Sequence, residues 1–128
     1  MKDHRLLDGR AVRDRILDEI SERVRHASTS HSIGRLVSVS IGEQRAAAVY
    51  VRAQANAAKK VGLRFEDQTW PVTVSQEDCK ARLVAMNDDP DVLGVILQRP
   101  VPPPPGLSAH SAMIIGRRLD VRALLWLR

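Results

Sequence analysis

The chain carries one cysteine, Cys79, so no intramolecular disulfide can form, and the residues around it offer no cluster with metal-ligand spacing. Aromatic residues are equally scarce: one tyrosine, one phenylalanine and two tryptophans make up 3% of 128 residues. Few ring faces are therefore on offer for stacking nucleic-acid bases. No apolar run approaches the roughly 20 residues that cross a bilayer. The first eight residues are polar and charged rather than a secretory leader. Together these absences set the expectation of a cytoplasmic protein with no metal, membrane or nucleic-acid partner.

What is present reads as one globular domain over residues 1–128, with 44% hydrophobic and 27% charged residues. The net charge is +5, but basic residues interleave with acidic ones, as in Arg13-Asp14-Arg15 and Glu22-Arg23. Such a mixed surface is ordinary solvation, and its basic excess also suits a polyanionic small ligand. His4, His26, His31 and His110 are scattered and read as exposed. Ser38, Ser40 and Ser111 lack the strand-to-helix elbow of a nucleophilic serine.

Helical and extended patterns alternate along the chain. Asp8 precedes an i,i+4 stripe of Val12, Ile16, Ile20 and Val24, which predicts a helix. A strand is expected over 36–41, ended by Gly42, and an alanine-rich helix over about 43–61, stopped by Gly62. A short strand over 65–70 closes at Pro71. Ser75 and Asp78 have capping-box spacing and open a helix to about Met86, followed by a turn at 87–90. Leu93 to Leu97 forms a compact apolar strand. Strands joined through helices imply right-handed crossovers, hence a three-layer α/β domain with an open, mainly parallel sheet of three or four strands and helices on both faces. In such sheets ligands bind beyond the carboxyl ends of the strands. Gly42 and Gln98 lie just past two such ends, and Tyr50 lies two turns into the helix after the first. Tyr50 and Gln54 are four apart and share a helix face. The proline-rich stretch 100–105 makes a stiff exit from that crevice or a plain linker.

These residues carry a resemblance. Tyr50-Val51-Arg52-Ala53-Gln54 and Gln98-Arg99-Pro100-Val101-Pro102 resemble the Tyr-Val-x-x-Lys and Gln-x-Pro-x-Pro motifs of the methylenetetrahydrofolate dehydrogenase/cyclohydrolase family, in its N-terminal, folate-binding domain. Leu6-Leu7-Asp8-Gly9-Arg10 is similar to that family's opening element, and Ile41 to Ala47 to its Val-Gly-x-x-x-Ala-Ser segment. Leu119-Asp120-Val121-Arg122-Ala123 falls where the family has Lys-Asp-Val-Asp-Gly.

The resemblance implies a tetrahydrofolate derivative as substrate, with Tyr50, Gln54 and Gln98 at the reacting centre. It implies Pro100 and Asp120 as further substrate contacts; Arg99 replaces the family's usual apolar residue in that loop, and either meets an anionic ligand as a further substrate contact or stays on the surface. The departures are as informative. Gln54 stands where the family has its lysine, and an amide takes no proton near neutral pH. Loss of a positioned proton-transfer group costs about 10²–10⁴ in rate, so weak or absent cyclohydrolase activity is expected. Asn56 replaces a second basic residue, and Arg122 an aspartate tied to pterin recognition. No Gly-rich phosphate turn follows any expected strand, so NAD(P) is not an expected cofactor. The preferred expectation is an enzyme that moves a folate-borne methylene or formyl unit to an acceptor other than water. The alternatives are a non-catalytic folate- or partner-binding relic of the family, or residual cyclohydrolase. The apolar run 123–127 is expected to cover open surface in cis or in a homodimer.

Overall fold

The structure, a computed structural model, describes residues 8–43, 45–98, 101 and 114–116. Its elements are α1 Gly9–Ser28, β1 Arg35–Ile41, α2 Arg45–Val61, β2 Arg64–Trp70, α3 Gln76–Asp88, β3 Val92–Leu97 and β4 Ile114–Gly116. The strands form one sheet in the order β2-β1-β3-β4. The β1 strand pairs in parallel with β2 and β3, while β4 runs antiparallel to β3. The expected three-layer, mainly parallel α/β architecture is therefore what forms. The three-residue β4 was not foreseen as a strand, because so short an apolar step carries no readable period.

Alternation along β1 divides the sheet into two unlike faces. Val37, Val39 and Ile41 point one way and join Val95, Leu97 and Trp70 in a core closed by Leu83 of α3. Val37 and Val39 are wholly buried and Leu83 is 1% exposed. Ser38 and Ser40 point the other way, beneath α2, and are also buried. The two faces thus differ in chemistry: hydrocarbon under α3, hydroxyls under α2.

Local signals set most helix ends. The Asp8 carboxylate accepts from the backbone N–H of Arg10 at 3.0 Å and caps α1. In α3 the cap is Ser75, whose Oγ accepts from the N–H of Asp78 at 3.0 Å. That helix runs through Asn87 and Asp88, which the sequence reading gave to a turn. Its stop is Asp89, held extended at φ −75°, ψ 114°, because the following Pro90 disfavours helical backbone in the residue before it. Gly62 ends α2 at φ 82°, a left-handed conformation that glycine adopts without steric cost.

The amino ends of the strands are tied by charge. Arg35 of β1 donates to Glu66 of β2 at 2.6 Å, to Asp91 at 2.6 Å and to Asp89 at 3.2 Å. Arg64 also pairs with Asp91. Hydrogen bonds from Arg64 and Arg35 hold the Asp91 carboxyl below the usual carboxylate range. Gln68 and Arg35 do the same for Glu66. Burial pushes the Cys79 thiol up, in keeping with its place beside the α3 core.

Candidate functional site

The candidate site lies at the opposite, carboxyl end of the sheet. The β1 strand ends at Ile41, and Gly42 turns the chain toward α2 at φ 72°. In α2, Ala47, Ala58 and Val61 are buried. Gln54 lies between the last two turns and that first contact, partly buried on the sheet side. Across from it β3 ends at Leu97. The backbone N–H of Gln98 donates to Val39 O at 2.8 Å, extending the pairing with β1 by one bond. That bond aims the Gln98 side chain at the hydroxyl-lined face.

There the three polar side chains meet. Gln98 is 7% exposed, and its Nε2 donates to Gln54 Oε1 at 2.6 Å and to Ser38 Oγ at 3.0 Å. One buried carboxamide thus links β1, α2 and the end of β3. A buried amide nitrogen with both protons engaged is satisfied, and leaving either bond unmade carries a desolvation cost. The juxtaposition of Gln54 and Gln98, 44 residues apart in sequence, was expected from the helix-face and strand-end arguments. The part played by Ser38 was not. Its signal lay in the alternation of serine with Val37, Val39 and Ile41, which marks a polar sheet face under a helix.

Tyr50 is placed differently from its two partners. It sits one turn earlier on α2 and is 68% exposed, so its side chain stands largely in solvent. Arg99, Pro100 and Asp120 lie outside the described residues, as do Leu6, Leu7 and the run 123–127. Asn56 is exposed. Two cavities flank the sheet. One of about 550 Å³ runs beneath α2 toward β2, lined by Ser40, Arg45, Arg52, Phe65, Asp67 and Thr69 among others. Another of about 470 Å³ lies by α1 near the amino ends of the strands, lined by Ile20, Val24, His31, Leu63 and Val92 among others. Tyr50, Gln54 and Gln98 line neither. Among the described residues, no group of three or more His, Cys, Asp or Glu side chains is placed to hold a metal ion.

Chemically, the paired amides can orient a polar ligand but cannot accept a proton from water near neutral pH, since neither is basic. A parallel α/β sheet with a helix-borne Tyr-Val-x-x-Gln and a strand-end glutamine is the frame that the family resemblance implies. The chain belongs to the tetrahydrofolate dehydrogenase/cyclohydrolase family, whose catalytic domain it matches over residues 7–116.

Its relatives agree. It is 52% identical over 101 residues to the bifunctional protein FolD of Rhodobacter capsulatus, covering 79% of this chain and 34% of that one. It is 52% identical over 112 residues to FolD 2 of Ruegeria pomeroyi, covering 88% and 37%. The chain thus spans about a third of the length of the curated relatives it matches. Among solved structures, a 5,10-methylenetetrahydrofolate dehydrogenase from the silkworm Bombyx mori superposes with TM-score 0.71 at 27% identity, covering 77% of this chain and 34% of that one. The dehydrogenase-cyclohydrolase of Trypanosoma brucei, solved with NADP and an inhibitor, gives 0.70 at 27%, covering 80% and 35%.

Proposed function

We propose that this chain binds a tetrahydrofolate derivative against the Gln54–Gln98 pair and transfers its one-carbon unit to an acceptor other than water. The observation that carries the reading is the 2.6 Å bond from Gln98 to Gln54, the residue that stands where the resemblance implies a lysine. A neutral pair preserves the hydrogen-bonding floor of the site and removes the group that would activate water. For a formyl unit, a nucleophilic acceptor bonds to the formyl carbon, that carbon parts from the one folate nitrogen carrying it, and the nitrogen takes up the proton that the acceptor loses. Tyr50 closes on the ligand through ring packing and its phenolic hydroxyl. Arg99, Pro100 and Asp120 supply further ligand contacts in this reading. Dehydrogenase chemistry is not proposed for these residues, since the turn after β1 has Gly42 alone rather than a Gly-rich phosphate loop.

Calorimetric titration with tetrahydrofolate, methylene-tetrahydrofolate and folinic acid tests the reading. Saturable binding of at least one is expected, and heat-silent titrations with all three would remove it. A second reading, a non-catalytic folate- or partner-binding domain, is favoured by the 68% exposure of Tyr50. It predicts folate binding that Tyr50→Phe leaves unchanged, with no transfer to any acceptor.

A further inference from the structure

At the amino ends of the strands, charged side chains are engaged with one another: Arg35 and Arg64 between them hold Glu66, Asp89 and Asp91. The cavity of about 550 Å³ beneath α2 is different. Ser40, Thr69, Glu43, Arg45, Arg52 and Asp67 all line it, and none of these side chains forms a hydrogen bond or ion pair with another described residue. Ser40 is the most telling of the six. It is 9% exposed and lies on the same sheet face as Ser38, two residues back. Ser38 Oγ accepts from Gln98 at 3.0 Å, whereas Ser40 Oγ meets only the cavity. A buried hydroxyl without a protein partner lowers stability, so its retention calls for a partner from outside the chain.

Register sorts these side chains into two ends. Ser40 and Thr69 are partners across the parallel β1–β2 pair, so they stand side by side on one face, about 5 Å apart from strand to strand. Arg45 opens α2 at that end, and the first turn of α2 holds no acidic residue. Two hydroxyls, a guanidinium and the positive end of a helix together favour an oxyanion. Asp67 lies two residues back along β2, about 7 Å from Thr69. Arg52 comes two turns along α2, about 10 Å from Arg45, and α2 runs back against the strands, so both belong to the far end. There a guanidinium donates and a carboxylate accepts, which suits a neutral group able to do both, such as a sugar hydroxyl. Ala48, Val51 and Phe65 supply apolar wall between the ends.

We infer that this cavity is a second binding site, for a small polar metabolite. Its phosphate or carboxylate head seats on Ser40, Thr69 and Arg45, and its hydroxyl-bearing body reaches Arg52 and Asp67. The volume falls in the range of small-molecule sites. Glu43 also lines the cavity, and its charge opposes the head group and keeps affinity modest. Tyr50, Gln54 and Gln98 do not line it, so the site stands or falls apart from the folate reading.

The test titrates ribose 5-phosphate, gluconate, inorganic phosphate and ribose into the nitrogen-15-labelled full chain. Ribose 5-phosphate or gluconate should shift the amide signals of Ser40, Gly42, Arg45 and Thr69 saturably, and the tighter of the two identifies the head group. It should bind at least about ten-fold tighter than inorganic phosphate or ribose, because it alone engages both ends. Ser40→Ala should weaken it about ten-fold, the scale of a hydrogen bond to a charged group. The same variant should leave the thermal midpoint unchanged or raised, since the hydroxyl removed has no partner in the chain. Arg45→Gln should weaken binding and Glu43→Gln should tighten it, while Arg23→Gln, outside the cavity, should do neither. Shifts scattered over the surface, or an equal loss with Arg23→Gln and Arg45→Gln, would replace the site by general attraction to a net charge of +5. The absence of saturable shifts with every probe would overturn the site and leave folate binding against Gln98 untouched. A lowered thermal midpoint in Ser40→Ala would make that hydroxyl structural and remove the argument built on it.

Discussion

At position 54 a carboxamide replaces an ammonium, and the difference is measurable in both directions. Neither amide of the Gln54–Gln98 pair takes a proton from water near neutral pH. Gln54→Lys is therefore expected to raise methenyl-tetrahydrofolate hydrolysis by roughly 10²–10⁴ over the unmodified protein, followed by loss of the methenyl absorbance. A lysine variant with unchanged hydrolysis would place the deficit elsewhere in the site. The pairing of Gln54 with Gln98 was legible because two periodicities, helical and extended, converge on it. The bond to Ser38 was not legible, since the serine alternation of β1 marks a polar face without naming a partner 60 residues away. Core residues are simpler. Leu83 is 1% exposed and holds α3 on the sheet, so Leu83→Ala should cost about 2–5 kcal/mol in urea unfolding.

Among the elements, α3 depends most visibly on its first turn. Ser75→Ala removes the acceptor of the Asp78 N–H and should lower stability by about 1 kcal/mol, while Ser75→Asp should retain most of it. The amino ends of β1, β2 and β3 are joined instead by ions. The carboxyls of Asp91 and Glu66 sit below their ordinary range in the folded state. Their contribution is therefore complete above about pH 4.5 and is lost as pH falls through the lowered folded values. Arg35→Gln should accordingly lower the thermal midpoint at pH 7, and the gap from the unmodified protein should shrink by about pH 3. A gap independent of pH would assign the effect of Arg35 to packing. None of this cluster was visible in sequence, where Arg35, Glu66 and Asp91 are ordinary surface residues until the parallel register aligns them. The helix and strand order was visible from α1 to β3, because each of those elements carries a period, a cap or a stop of its own. Element ends were less so: α3 outran its expected limit at Met86, as the effect of Pro90 falls on Asp89 and no earlier.

For the molecule as a whole, strand order decides which edge of the sheet stays open. Among the described residues β4 covers the outer side of β3, and β2 has no neighbour beyond it. An unpaired edge of seven residues is a template onto which another chain can add a strand. Here that edge reads Arg-Phe-Glu-Asp-Gln-Thr-Trp, with adjacent carboxylates at Glu66 and Asp67 in its middle. A second copy approaching in register would bring like charges together, so crowding at high concentration is discouraged by the same strand that borders the cavity under α2. The hazard is a single substitution away. Asp67 is exposed, and Asp67→Val would lengthen the β-prone stretch and remove one of the two guards. Time-dependent light scattering at 37 °C should then rise for that variant well before any loss of helical signal, marking assembly of folded molecules rather than unfolding.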